Sequence, residues 1–218
     1  MYRHALKALR ESGIRLLYTI PDPRWVRLFK LFPMLQVGSF PLWSVALPLA
    51  ASLPISPDYA VSPLVAYDER VERLWAVARH LHSCQLVRNT QFLPWKIGSG
   101  DYQVLAVERG GELVGLVAGR QKGDQQWLIC DMLAADEDAL RVTLAAAVNS
   151  GHGEALAAPP GRPIRKAAVL ATPLIERAAR PLGFQRDQYD FPMIVHLLDH
   201  ALPKEQFAPE RWYVSAND

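Results

Sequence analysis

The sequence predicts a mixed α/β (α+β) chain made of one nearly complete lobe and one partial lobe. Three observations carry that expectation. Helical and strand-like runs alternate along the 218 residues, a proline-rich stretch over 48–63 divides them, and the order before the divide repeats part of the order after it. The sheet is expected to be mostly antiparallel with helices on its faces, because the longest legible run is a meander of strands. Half the residues are hydrophobic and 21% are charged, an ordinary globular balance far from a disordered one.

Residues 2–12 form a helical pattern of mixed charge that Gly13 stops. A strand over 14–19, a helix over 23–31 and an extended run over 35–47 complete the partial lobe, residues 1–50. Between Lys30 and Asp58 no residue is charged, a length that would cross a bilayer. However, Pro33, Pro41, Pro48, Pro54 and Pro57 interrupt it, and each removes a donor or clashes inside a helix. Lipid-exposed backbone must satisfy its own hydrogen bonds, so no membrane span is expected. Residues 51–66 read as a linker.

The second lobe, 67–200, opens with Asp68 as a helix cap before Val71, Leu74, Trp75, Ala78 and Leu81 at helical spacing. Strands over 102–108, 113–119 and 127–131 follow, joined by Arg109-Gly110-Gly111-Glu112 and Lys122-Gly123-Asp124. Asp136 starts a helix with Leu140, Leu144 and Val148 on one face, expected to end near Ser150-Gly151. A loop over 155–166 leads to a short buried strand over 167–171. Thr172-Pro173 starts another helix, whose buried face is Leu174, Ile175, Ala178, Ala179 and Leu182 and which Gly183 ends. The last strand spans 191–198, with Pro192 near its start. In the polar tail, 201–218, only Trp212-Tyr213-Val214 is suited to packing. The repeat aligns Leu16-Leu17-Tyr18-Thr19-Ile20-Pro21 with Val169-Leu170-Ala171-Thr172-Pro173, each followed by a helix ending in phenylalanine, Phe32 and Phe184.

This order resembles that of the GNAT acyltransferase superfamily. Arg180-Pro181-Leu182-Gly183-Phe184 is similar to the ending of that family's penultimate helix. Pro21-Asp22-Pro23-Arg24 resembles a proline-asparagine turn of many bacterial members. Arg88-Asn89-Thr90-Gln91-Phe92-Leu93-Pro94-Trp95-Lys96 resembles the arginine-to-tryptophan segment of two-lobed bacterial GNAT-like proteins. The resemblance implies acetyl-CoA or another acyl-CoA as cofactor and a small-molecule or peptide amine as acceptor. It also implies Asp22 and Arg24 at the pantetheine arm or phosphates, and Arg88 and Trp95 as cationic handle and aromatic wall of an acceptor pocket. Asp131 would line the cleft between splayed strands, as a base acting through water or as a cap for a neighbouring turn.

The chain departs from that family in three places. Coenzyme A's pyrophosphate is held by a glycine-rich loop at a helix N-terminus, where backbone N–H groups and the helix dipole favour negative charge. Here that turn reads Leu133-Ala134-Ala135-Asp136-Glu137-Asp138, with no glycine and three carboxylates that would repel the cofactor. In the first lobe the loop would precede Met1, so an N-terminally incomplete lobe with an open sheet edge is expected, a surface through which a homodimer could form. The acid that protonates the leaving thiolate, commonly a tyrosine, falls on Ala179, and Tyr18 and Tyr189 are the candidate substitutes. A module that binds without catalysing is therefore the rival reading.

Other chemistries have little support. Net charge is +2, which advertises no nucleic-acid groove. Cys84 and Cys130 are distant from each other and from any ligand pattern, which suits a reducing cytoplasm and gives no metal site. No Gly-x-Ser-x-Gly elbow or nucleotide phosphate loop occurs.

Overall fold

The computed structural model describes residues 2–29, 34–98, 101–123, 125–158 and 163–216. Phe32, the end of the expected helix over 23–31, and Asp124 lie outside them. In chain order the elements are α1 (Tyr2–Glu11), β1 (Leu16–Thr19), α2 (Val26–Phe29), β2 (Leu35–Ala46), β3 (Tyr59–Pro63), α3 (Glu69–Ala78) and α4 (Phe92–Ile97). There follow β4 (Gln103–Arg109), β5 (Glu112–Lys122), β6 (Gln126–Ala134), α5 (Glu137–Ala157), β7 (Lys166–Leu170), α6 (Pro173–Ala179) and β8 (Gln185–Leu197).

Local chemistry starts most of these elements where the sequence expects them. Gly110 and Gly111 both have positive φ, 60° and 83°, which suits the tight reversal from β4 into β5. Asp68 accepts a hydrogen bond from the Arg70 amide and Asp136 one from the Ala139 amide, so α3 and α5 begin on capped donors. The helix α5 does not stop at Gly151 but runs on to Ala157. A side chain at Gly151 would place its Cβ 2.5 Å from Cδ1 of the buried Trp127, so glycine is there for close packing, not to end the helix.

All eight strands form one sheet in the order β1-β8-β2-β7-β6-β5-β4-β3. Every neighbouring pair is antiparallel except β6 with β7. On one face α5 and α6 cover Trp43, Val107, Val117, Trp127, Ile129 and Val169. On the other, α3 and α4 pack Val71, Leu74, Leu93 and Ile97 against Leu116, Ala118 and Leu133. Each fully buried side chain of this size contributes about 1.5–3 kcal/mol. That second face is only partly covered, leaving Leu42, Leu128, Cys130 and Ala168 beyond the reach of the two helices as a separate cluster.

Residues 1–50 do not make a sheet of their own: β2 lies between β7 and β8, and β1 extends the same sheet beyond β8. The repeat seen in the sequence takes a definite form here. From either end the order β1-β8-β2-β7 reads short strand, long strand, long strand, short strand, all antiparallel. Each short strand leads through a proline turn and a helix to a long strand, which inserts beside the other half's short strand. At the centre Phe40 faces Phe191 and Ser39 faces Pro192.

The stretch expected as a linker, 51–66, contains β3, which pairs along β4. Its approach is pinned by α5, since the Asn149 side chain bonds both backbone groups of Leu53, and the Leu49 amide donates to His152 Nδ1. The tail is likewise structural. Phe207, Trp212 and Val214 are buried with Phe40, Met193 and Val195.

Candidate functional site

The chemistry begins with a register change in β6. Trp127 and Ile129 point into the core under α5, as do Met132 and Ala134, so the alternation slips by one between them. The slip is a bulge, where Ala118 faces Asp131 but Gly119 faces Ile129. Without it Asp131 would point under α5. With it, the carboxylate turns to the α4 face and meets Arg88 and Lys96.

Asp131 Oδ1 lies 2.7 Å from Arg88 Nε, and Oδ2 lies 2.9 Å from Lys96 Nζ. The Met132 amide donates to Oδ1 at 2.9 Å and the Tyr213 hydroxyl at 3.3 Å. Burial alone would raise the Asp131 carboxyl, but the Arg88 and Lys96 charges outweigh it and hold it below the usual carboxylate range. Arg88 is fully buried, donates to the Leu86 carbonyl at 2.9 Å and stacks 4.3 Å from the Tyr213 ring centre. Both cations also reach Ser215 Oγ, at 3.3 Å from Lys96 and 3.5 Å from Arg88.

This arrangement puts two of the expected site residues in structural contacts. Asp131 is enclosed by protein donors and ties β6, α4 and the tail together. Arg88 is its partner and is fully buried, whereas Trp95 is 75% exposed and rests on Phe92, 5.3 Å between ring centres. The sequence marks Tyr213 for packing and places Lys96 beside Trp95, but their contact with Asp131 depends on the bulge and on where the tail returns.

The wedge between β6 and β7 is closed. The strands pair only as far as Ile129 and Val169, and beyond that point the Met132 amide donates to the Tyr213 hydroxyl at 2.8 Å. The space left beside Met132, His82, Leu174 and Tyr213 is about 20 Å³, room for about one water. His82 rests 5.2 Å from the Tyr213 ring, and burial, assisted by the Arg88 charge, pushes its imidazole down to about 4. At the N-terminus of α5, Asp136 pairs with Arg109, Glu137 with Arg177 and Asp138 with Arg141. This end does not fit a pyrophosphate.

The open space lies elsewhere. A cavity of about 960 Å³ crosses the uncovered sheet face, floored by Leu42, Leu128, Leu170 and Phe191 and bordered by Asp22, Arg24, Lys122 and Tyr189. Asp22 and Arg24 meet in a two-pronged ion pair, with Nε to Oδ1 at 2.9 Å and Nη2 to Oδ2 at 2.7 Å. Hydrogen bonds from the Arg24 side chain and amide lower the Asp22 carboxyl to about 2. Any anion reaching Arg24 must compete with that carboxylate. Tyr18, on β1, packs 5.4 Å from the Trp212 ring, while Tyr189 lines the cavity. Among the described residues no group of three or more His, Cys, Asp or Glu side chains could hold a metal ion, and no helix is long and apolar enough to cross a membrane.

No protein-family profile matches the chain, and no curated protein matches its sequence. Its structure resembles the GCN5-related N-acetyltransferase from Kribbella flavida, with TM-score 0.63 and 17% identity over 91% of this chain and 47% of that one. The corresponding protein from Anabaena variabilis gives TM-score 0.62 and 16% identity, covering 91% of this chain and 50% of that one. A tandem GNAT protein from the clavulanic acid biosynthesis pathway gives TM-score 0.55 and 16% identity, over 92% of this chain and 69% of that one. The chain thus spans about half the length of the first two. With its antiparallel meander, its single parallel β6–β7 pair and its shared sheet, the chain has the fold of the GNAT N-acetyltransferase superfamily.

Proposed function

We propose that the chain carries the transfer site of an acyl-CoA-dependent N-acyltransferase, acting on an amine of a small molecule or peptide in the cytoplasm. The observation that carries this reading is the mirrored strand order. β1 and the Asp22 turn stand to β8 as β7 and the Thr172 turn stand to β2, and the large cavity opens beside Asp22 and Arg24. In this reading transfer takes place at the β1 end, while the wedge filled by Tyr213 is structural.

Acyl-CoA, when bound, supplies the thioester. Arg24, oriented by Asp22, offers guanidinium donors to a phosphate. Leu42, Leu128 and Phe191 hold the acceptor's apolar body and exclude water. The Tyr189 hydroxyl borders the same cavity and is the group suited to returning a proton to the departing thiolate. β1 has no partner on its outer edge among the described residues, and a second copy of the chain pairing there would form a homodimer visible by light scattering.

Calorimetric titration with acetyl-CoA tests the reading. Saturable heat that Arg24→Ala abolishes is expected. No heat at millimolar ligand, or heat indifferent to Arg24, would sink it for this chain. The rival, a GNAT-fold module that binds without transferring, is favoured by the acidic start of α5 and would then stand.

A further inference from the structure

The large cavity does not end at its apolar floor. Lys122 and Gln126 also line a second recess of about 530 Å³, together with Gln125, Arg165 and Lys166. Three strand ends converge to build it. Lys122 closes β5, Gln126 opens β6, and Lys166 opens β7 opposite Gln126 in the parallel register. Arg165 is held beside them by its backbone, its amide donating to the Gln125 carbonyl at 2.8 Å and its carbonyl accepting from the Leu47 amide at 2.7 Å.

Among the described residues the charges in this recess are unbalanced. Lys166 is answered by Asp187 at 2.6 Å, but among the described residues no carboxylate pairs with Lys122 or Arg165. Both side chains are exposed, and the backbone that carries them is held by the sheet at Lys122 and by the Gln125 and Leu47 hydrogen bonds at Arg165. Cations anchored around one recess favour an anion there, and the two glutamine carboxamides add neutral donors.

We propose that this recess binds a phosphate or diphosphate group of the molecule whose body lies along the Leu42–Leu128–Phe191 floor. Resting on the reading above, the inference makes the acceptor a phosphorylated amine. An amine at the Asp22–Arg24 end and an anion at the Lys122–Arg165 end would span the cavity lengthwise. The same phosphate chemistry belongs to coenzyme A, so the test has to separate the two sources.

Inorganic diphosphate is titrated by calorimetry into the chain, into Lys122→Gln/Arg165→Gln and into Arg73→Gln, a charge control on α3. The expected result is saturable binding, weakened about tenfold or more by the double variant and unchanged in the control. Absence of binding at millimolar diphosphate, or equal binding in all three, overturns the site. Since both substituted side chains are exposed, unchanged thermal unfolding is expected, and single Arg165→Gln serves if the pair is destabilised. Competition then assigns the source. Displacement of diphosphate by phosphoethanolamine, a phosphorylated amine, but not by coenzyme A supports the acceptor, whereas displacement by coenzyme A alone overturns that assignment. Arg24→Ala, the variant that tests acyl transfer, is titrated with diphosphate as well: loss confined to Lys122→Gln/Arg165→Gln assigns the anion to this recess, whereas loss confined to Arg24→Ala assigns it to the Asp22–Arg24 end and overturns the site, so the two readings can fail separately.

Discussion

The Tyr213 hydroxyl lies 2.8 Å from the Met132 amide, so the returning tail supplies β6 with the hydrogen bond that β7 stops supplying after Val169. This contact closes the wedge where two parallel strands part, and it makes the C-terminal segment part of the core.

Removing that hydroxyl is a mild, defined perturbation. Tyr213→Phe keeps the ring against Arg88 and His82, and the Met132 amide retains Asp131 Oδ1 at 2.9 Å. A loss of about 1 kcal/mol is expected in urea denaturation. A loss several times larger would mean that the hydroxyl orders the whole tail.

The buried ion cluster should be far more sensitive. Asp131→Asn leaves two enclosed cations facing a neutral amide, and a destabilisation of about 3–5 kcal/mol is expected. Lys96→Met should cost less, because Arg88 still neutralises the carboxylate at 2.7 Å. Denaturant midpoints of the two variants check the order.

Acid should weaken the fold through His82. Its imidazole is held down to about 4 in the folded chain, below its ordinary 6.5, so between those values the unfolded chain binds a proton that the native chain refuses. Stability therefore falls as pH drops from about 6.5 toward 4, by up to about 3 kcal/mol, and the effect is absent above neutrality. His82→Leu should flatten the stability profile over that window. Asp131 contributes at lower pH, where its lowered carboxyl finally takes a proton.

Two glycines on α5 should respond in opposite directions. Gly151→Ala drives a methyl into Trp127 and should cost about 1–3 kcal/mol. At Gly153 an added methyl would meet nothing within 4 Å, so Gly153→Ala should stabilise the helix by about 0.5–1 kcal/mol. Thermal unfolding of the two variants distinguishes packing from propensity.

Much of the architecture is legible in local signals. Asp68 and Asp136 announce helix starts, Gly110-Gly111 marks a hairpin, and the spacing of Val71, Leu74 and Ala78 identifies a buried face. Each depends on neighbours a few residues away. Gly151 misleads for the opposite reason: the Trp127 ring that requires it is distant in sequence. The same holds for β3, which looks like linker until β4 lies beside it.

By itself, then, the sequence determined the helices, the meander, the family likeness and a repeat around two proline turns. Tertiary structure alone decided that β2 and β8 insert beside each other's short strands, and that the bulge near Cys130 turns Asp131 toward Arg88 and Lys96. Strand pairing and side-chain facing depend on contacts far apart in the chain, and a one-residue slip in β6 reverses which face a carboxylate occupies. That slip makes Asp131 a buried anchor and leaves the open cavity to Asp22, Arg24 and Tyr189.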